Sequence, residues 1–533
     1  MNGAQALFKA LVDAGLNTCF ANPGTSEMQL VYEIGRTEGV RAVLCLQENT
    51  VTGAADGYSR MAEKPAFTLL HVGSGFANGI ANLHNAGRAN TMMVNIVGAN
   101  ATYHQPRFPE HELINGKIID LARTVSHWAR EAKSASDLAV LGALACRYAG
   151  MGAGKICTVI APTNCHWDPA TEPPVTMTPF EAPKVAPQTI AETARLVVNG
   201  KKTGMVLGSH LLHGEGLELA GKIAAKTGIT LLGETFPSRL ARGEGRVPVK
   251  LIPYFLEMAL KDLASYEQFI LVGALTPVAT FAYKGKPVLK IPESCQVITL
   301  ATVEHDLLAA LRDLTQELNA LSEPVELRKK MESTPPSGVL TAESIGKSLC
   351  SLIPENSILV DEGATNGLTI FELTKGARAH DYLSAVCGGA IGGGLPLALG
   401  ASIACPDRKV IALQSDGSGM YTVQALWSMA REKADVIVIV LKNDDYAILE
   451  VELARVREGE ANEKMQSLMN LNNPTLEWVK IAEGQGVPGS HAETADEFHQ
   501  LLESALAGKG PYLIEAQIAQ NIQAMIDLVR GAK

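Results

Sequence analysis

Residues 65–72, 93–99 and 436–441 are strongly apolar, and each run is only about as long as one buried strand. Amphipathic helical patterns lie between these runs and others like them. Apolar strands alternating with helices restrict a chain to parallel sheets covered by helices on both faces. No run approaches the roughly 20 apolar residues of a membrane span. At roughly 150 residues per domain, a chain of 533 residues predicts three to four domains.

The expected fold is α/β, with three doubly wound parallel-sheet domains. The first covers 1–165, with strands expected at 18–21, 41–46, 66–71, 92–97 and 156–160. Helices are expected near 3–14, 27–36 and 54–61. Seven prolines in 161–187, including Pro173 and Pro174, predict an extended surface linker. The second domain covers 188–330, with strands at 203–207, 230–232, 269–272 and 296–299. The third covers 340–533, with strands at 357–360, 410–413, 436–441 and 512–516.

Composition removes several functions. The net charge of −10, from 46 basic and 56 acidic residues, argues against a nucleic-acid binder. Aromatic residues make up only 5%, which leaves few stacking platforms for bases. The nine cysteines contain no C-x-x-C pair, so reduced thiols are expected and zinc is not. Residues 1–5 lack the basic-then-apolar pattern of a signal peptide, and the expected location is the cytoplasm. Glycine is in excess, 49 residues in 533 against a usual share of about 7%. It is clustered, which suits backbone packed close to a ligand.

The third domain carries the densest chemistry. Strand 410–413 runs into Gln414-Ser415-Asp416-Gly417-Ser418-Gly419. A helix near 423–431 and strand 436–441 then lead to Lys442-Asn443-Asp444-Asp445-Tyr446. Asp416 and Asn443, 27 residues apart, therefore close successive parallel strands at the edge where α/β sheets bind ligands. Two hard oxygen ligands, a following carbonyl and a diphosphate would complete an octahedral Mg²⁺ site. The helix start after Gly417 would offer N–H groups to the diphosphate. Taken singly, Asp416 is as well explained as a helix cap and Asn443 as a turn residue. Their pairing across one βαβ unit favours the metal site.

This pattern resembles the diphosphate–Mg²⁺ signature of thiamine diphosphate (ThDP) enzymes, Gly-Asp-Gly…Asn-Asn, with Ser415 and Lys442 as departures. The resemblance covers essentially the whole chain, in the order pyrimidine, central and diphosphate domain. It implies Asp416, Asn443 and the Asp445 carbonyl as metal ligands. It places Gly417, Ser418, Tyr446 and Thr365 in the cofactor-binding set. Asn22-Pro23-Gly24-Thr25-Ser26-Glu27 is similar to the loop of the benzoylformate decarboxylase and acetolactate synthase group. Glu48 matches the catalytic glutamate. The run from Gly53 to Arg60 matches the helix behind it. Cys387-Gly388-Gly389-Ala390-Ile391-Gly392 resembles the segment that holds the aminopyrimidine. There the resemblance implies Ile391 as the wedge that bends the cofactor. It also implies a free Gly389 carbonyl for the 4′-amino group.

In such an enzyme the glutamate favours the imino tautomer of the pyrimidine, which then removes the thiazolium C2 proton. The ylid attacks a 2-oxo acid, and loss of CO₂ leaves an enamine. Attack on a second carbonyl gives a ligation product, as in acetolactate synthases. Protonation gives an aldehyde, as in benzoylformate decarboxylases. His71 matches the decarboxylases' first active-site histidine. Thr25 stands where a serine binds the substrate carboxylate, and Asn78 is expected to face the cofactor. The second histidine of the decarboxylases falls near Thr280, where the sequence has none. His104 and His111 are the alternatives. Residues 234–247 lack the run that accompanies FAD in acetolactate synthases, which speaks against FAD. A flavin-linked oxidase of the pyruvate-oxidase type therefore ranks third. Gly73-Ser74-Gly75 is no dinucleotide fingerprint, so NAD is not expected. A descendant keeping fold and assembly without catalysis is opposed by Glu48, Asp416 and Asn443. The resemblance further implies a homo-oligomer, dimer or tetramer, with active sites between subunits.

Overall fold

The structure, a computed structural model, describes residues 1–171, 180–456 and 459–531. Three sheets carry it. The first contains β1 (Thr18–Asn22), β2 (Arg41–Leu44), β3 (Ala66–Leu70), β4 (Met93–Ala99), β5 (Trp128–Glu131) and β6 (Ile156–Pro162), in the order β2-β1-β3-β4-β6-β5. The second is built from β7 (Thr203–Leu207), β8 (Thr230–Gly233), β10 (Lys250–Leu251), β11 (Gln268–Val272) and β12 (Gln296–Ala301), in the order β10-β8-β7-β11-β12. β9 (Leu240–Arg242) lies between β8 and β10 in sequence but joins the third sheet. That sheet holds β13 (Ser357–Glu362), β14 (His380–Ser384), β15 (Val410–Ser415), β16 (Val436–Lys442), β17 (Gly489–Ala492) and β18 (Tyr512–Gln517). Its order is β17-β18-β16-β15-β13-β14-β9.

The sheets are parallel as the apolar runs require, with one exception: β9 pairs antiparallel with β14. Every residue of β16 is buried, so this strand can only lie inside a sheet covered on both faces. It pairs in parallel with β15 from Val410↔Val436 to Ser415↔Leu441, which brings Asp416 and Asn443 to one edge.

Other expectations need correction. Expected strand 41–46 stops at Leu44, because the Gln47 side chain accepts from Asn49 N and Thr50 N and starts the helix Glu48–Ala62 there. Helix 423–431 begins earlier, as a turn at Asp416–Gly419 that passes through Met420–Thr422 into Ala425–Glu432. The proline-rich stretch 161–187 is not extended throughout. β6 reaches Pro162 and a short helix, Thr163–Trp167, follows. Pro173 and Pro174 lie outside the described residues. Among the described residues no helix is long and apolar enough to cross a membrane.

Glycines allow the first and third sheets' helices to meet. Helix Glu48–Ala62 packs on helix Gly394–Ala404. A Cβ on Gly57 would lie 2.1 Å from the Leu397 carbonyl, and one on Gly400 would lie 1.9 Å from the Ala54 carbonyl. Part of the glycine excess is thus close helix packing. Arg60, at the far end of the first helix, ties that helix to the segment between β8 and β9 and to β14. Its Nε and Nη2 donate to Asp56 at 2.7 and 2.5 Å, and its Nη1 donates to the Ser238 and Ser384 carbonyls at 3.2 and 2.7 Å. Both side chains of the pair are only 3% exposed. Asp56→Ala leaves a buried guanidinium without its counter-charge. It is expected to cost about 3–5 kcal/mol of unfolding free energy, read as a lower urea midpoint. An unchanged midpoint would show that the pair adds nothing.

Candidate active site

The C-terminal edge of the first sheet gathers the first cluster. Glu48 opens its helix and is buried. Its Oε1 accepts from Asn22 Nδ2 and its Oε2 from Asn78 Nδ2, both at 3.1 Å. Asn22 ends β1 and Asn78 ends the helix Val72–Asn78, so two elements aim this carboxylate. Asn78, expected to face the cofactor, thus spends an amide N–H on Glu48. Gly75 is the contact between Glu48 and His71: a Cβ there would lie 2.8 Å from Glu48 Oε1 and 3.1 Å from His71 Cβ.

His71 caps the helix after β3, and the next residue, Val72, holds φ +38°. A β-branched residue in that region is strained, which marks a turn that the surroundings force. His71 Nδ1 lies 2.8 Å from Glu27 Oε2 and 3.2 Å from Ser26 Oγ. Glu27 is fully buried and is held by Gly24 N at 2.8 Å and Ser26 Oγ at 2.5 Å. Sequence reasoning passed over this glutamate. The one available signal was its place three residues after Gly24, where a side chain can reach back to a turn. Thr25 is exposed, and the hydroxyl that meets His71 is that of its neighbour Ser26.

The second cluster lies on the third sheet. Asp416 is buried, and burial raises its carboxyl above the usual range against three backbone donors. Oδ1 accepts from Gly417 N at 2.9 Å, and Oδ2 accepts from Asn443 N at 3.0 Å and Asp444 N at 2.7 Å. These bonds tie the ends of β15 and β16 together. Asp444 sits at φ +56°, and Lys442 Nζ meets its Oδ2 at 2.7 Å. The lysine that replaces the usual asparagine therefore serves the turn. Asn443 Nδ2 donates to Gln520 Oε1. Asp445 Oδ1 is buried without a hydrogen-bond partner, and burial with Glu450 beside it pushes this carboxyl up to about 7. Tyr446 covers Gly417: a Cβ there would lie 2.4 Å from its ring. Ser418 Oγ accepts from Gln414 Nε2 at 2.7 Å. Thr365 is buried at the start of helix Ala364–Leu373, on the same sheet edge after β13.

The glycine run 388–394 bridges the two sheets. His84 Nε2 meets the Gly388 carbonyl at 3.0 Å, and Asn85 Nδ2 donates to the Ala390 carbonyl at 2.8 Å. Among the described residues none donates to the Gly389 carbonyl between them. Gly389 holds φ +83°, and a Cβ there would meet nothing within 4 Å, so open space lies beside it. Ile391 is half-buried next to it. Buried Glu362, at the end of β13, accepts from Gly392 N at 2.5 Å and Gly394 N at 2.6 Å. Sequence reasoning missed this clasp. Within the chain no hydrogen bond among the described residues joins the Glu48 cluster to the Asp416 cluster.

Two further places bear on the expected cofactors and residues. Half-buried Glu234, just past β8, accepts from Ser209 N at 3.2 Å and Ser209 Oγ at 2.9 Å at the turn after β7. A carboxylate of the chain itself thus takes the Ser209 amide and hydroxyl at this turn. The segment around Thr280 forms an arm closed by the bonds Ala279 N to Val288 O (2.8 Å) and Lys290 N to Pro277 O (3.0 Å). Its Tyr283 stacks on Arg455 at 4.1 Å and donates to Glu452 at 3.4 Å. It reaches the helix Ala447–Val456 that follows the metal-type turn, and it brings a tyrosine there.

The two sheet edges thus carry a buried carboxylate held at both oxygens, an aspartate preset by backbone amides and an open glycine turn. Comparison with known proteins identifies the family. Residues 1–119 match the family model of the N-terminal TPP binding domain of thiamine pyrophosphate enzymes, and 365–516 match the C-terminal one. A Mycobacterium tuberculosis protein named "Putative acetolactate synthase large subunit IlvX" is 41% identical, over 97% of this chain and 99% of that protein. Benzoylformate decarboxylase of Pseudomonas aeruginosa is 27% identical, over 96% and 98%. The Rhodococcus jostii RHA1 thiamine diphosphate-dependent 4-hydroxybenzoylformate decarboxylase superposes with a TM-score of 0.84 at 24% identity, over 98% of this chain and 100% of that one. This chain belongs to the thiamine diphosphate-dependent enzymes. Within them it is acetolactate synthase-like or benzoylformate decarboxylase-like.

Proposed function

We propose that this enzyme uses thiamine diphosphate and Mg²⁺ to decarboxylate a small 2-oxo acid, then passes the remaining acyl unit to a second carbonyl as acetolactate synthases do. The observation that carries the reading is the Glu48 carboxylate, held at both oxygens and set against Gly75 opposite His71. The residues suit the cofactor and its ion. Carboxylate, amide and carbonyl oxygens of Asp416, Asn443 and Asp445 form a hard donor set for Mg²⁺. The Gly389 turn, where a Cβ would meet nothing within 4 Å, leaves an open cradle between the two sheets for the cofactor. When bound, the cofactor supplies an acidic thiazolium carbon and an electron sink for decarboxylation. With the cofactor bound, Glu48 would hold a proton at the pyrimidine nitrogen, and the Gly389 carbonyl would accept from the amino group. Ile391 would pack against the cofactor, while Gly417, Ser418, Tyr446 and Thr365 would line its diphosphate. Thr25 and His71 face the substrate.

Among the described residues the two clusters share no hydrogen bond within one chain, and with the resemblance to ThDP enzymes this supports a site completed by a second copy, in a dimer or tetramer. We assign 1–165 to the pyrimidine, 188–330 to the central and 340–533 to the diphosphate domain, with β9 lent by the central segment. All nine cysteines are free thiols, which supports a cytoplasmic location. Glu234, which reaches from the end of β8 to Ser209 at the β7 turn, supports leaving flavin out.

A second reading, release of an aldehyde, is favoured by one observation: the braced Glu27–His71 pair at the substrate side. A panel of 2-oxo acids with added ThDP and Mg²⁺ tests both. CO₂ release that needs both additions is expected. A ligation product supports the first reading and an aldehyde the second, and no CO₂ from any member of the panel contradicts both.

A further inference from the structure

One side chain decides which carbonyl of the glycine run is left free. Asn85 lies on the helix Ile80–Arg88 and is buried. Its Oδ1 accepts from Gly388 N at 3.0 Å and Ala390 N at 3.2 Å. Its Nδ2 donates to the Ala390 carbonyl at 2.8 Å and to Asn82 Oδ1 at 3.0 Å. The backbone partners fix which end of the amide is which, and its two acceptor and two donor positions are all filled. The amide is also braced from behind. Asn82 N donates to Asn49 Oδ1 at 2.8 Å, and Asn82 Nδ2 donates to the Asn49 carbonyl at 2.9 Å. Asn49 follows Glu48 at the start of its helix. All three asparagines are buried, and buried amides bonded in this way hold one geometry.

The consequence falls on Gly389. Its N–H donates to the Val386 carbonyl at 2.9 Å. The carbonyls on either side are taken, that of Gly388 by His84 Nε2 and that of Ala390 by Asn85. The turn also sits directly on these two side chains: a Cβ on Gly388 would lie 2.6 Å from the His84 ring and 3.0 Å from Asn85 Oδ1. Of the three successive carbonyls, only that of Gly389 has no donor among the described residues, and it lies where the turn opens.

We propose that Asn85 is a positioning residue for the cofactor's amino group: it grips the peptides on both sides of Gly389 and presents that carbonyl as the turn's free acceptor. The inference rests on the reading above in which the Gly389 carbonyl accepts from the amino group. Asn85 itself touches the turn and not the cofactor. It acts through the direction of the carbonyl, because a hydrogen bond weakens steeply as its angle departs from linear. The Asp416 turn takes no hydrogen bond from Asn85, so the diphosphate end of the cofactor does not depend on it.

The test is a calorimetric titration with ThDP and with its 4′-deamino analogue, each with Mg²⁺, on wild type and Asn85→Ala. Wild type is expected to bind ThDP about 10-fold tighter than the analogue, which is the worth of one hydrogen bond. In Asn85→Ala this preference is expected to fall below about 2-fold, with affinity for the analogue kept. A merely structural role would weaken both ligands alike. Asn85→Asp keeps the shape and the acceptor but cannot donate to the Ala390 carbonyl. It is expected to lose the preference too, and it decides the case if the alanine variant does not fold. A preference kept in the folded variant, an equal fall for both ligands, or failure of both variants to fold overturns the role of Asn85 and leaves the cofactor reading standing. A wild type that binds ThDP and the analogue equally overturns the part given to the Gly389 carbonyl and the role of Asn85 together. A wild type that binds neither overturns the proposed cofactor.

Discussion

Glu48→Gln is expected to bind ThDP and Mg²⁺ like the wild type and to lose turnover of every 2-oxo acid by about 10²–10⁴-fold. The size follows from what an amide cannot do. It has the shape of the carboxyl group but holds no exchangeable acid proton for a ring nitrogen. In the structure both carboxylate oxygens are acceptors, for Asn22 and Asn78 at 3.1 Å each. Glutamine keeps one acceptor and turns an NH₂ toward the other donor, so a stability loss of about 1–3 kcal/mol accompanies the change. The Asp416 cluster shares no hydrogen bond with Glu48, so diphosphate and metal binding stay intact. Calorimetric titration with ThDP separates the effects: wild-type affinity with lost turnover supports the assignment, and retained turnover contradicts it.

Asp416→Ala is expected to remove Mg²⁺-dependent ThDP binding, weakening it more than about 100-fold. Two losses combine here. The proposed metal loses its only carboxylate side-chain ligand. The N–H groups of Gly417, Asn443 and Asp444 also lose their acceptor. With it goes the tie that holds Asp444 at φ +56° between the strand end and Tyr446. ThDP titration with and without Mg²⁺ reads this directly. Unchanged affinity in the variant would rule out Asp416 as the ligand that organises the site.

Much of this was readable before any coordinates, and the reasons are local. β16 is an unbroken apolar run, so its place inside a parallel sheet follows from hydropathy alone. Asp416 and Asn443 follow such strands directly, and parallel pairing in register brings any two such strand ends to one edge. β14 was not readable because it holds the polar residues His380, Asp381 and Ser384, and the burial of Asp381 is compensated by Arg239 and Arg408 from other segments. β9 and β10 have three and two residues, too few to show a period. Of the site, the proposed ligating and catalytic residues carried motif signals, but their supports did not. Glu27 and Glu362 look like ordinary carboxylates in sequence, and only tertiary packing shows that they hold His71 and the glycine run. The ring contact between His71 and His111 joins two loops that no periodicity relates.

The central claim is that Glu48 activates the cofactor held by this fold, and the rate of deuterium exchange at C2 of bound ThDP measures it. The account predicts fast exchange in the wild-type protein and slow exchange in Glu48→Gln at full cofactor occupancy. Equal rates in the two proteins would contradict it.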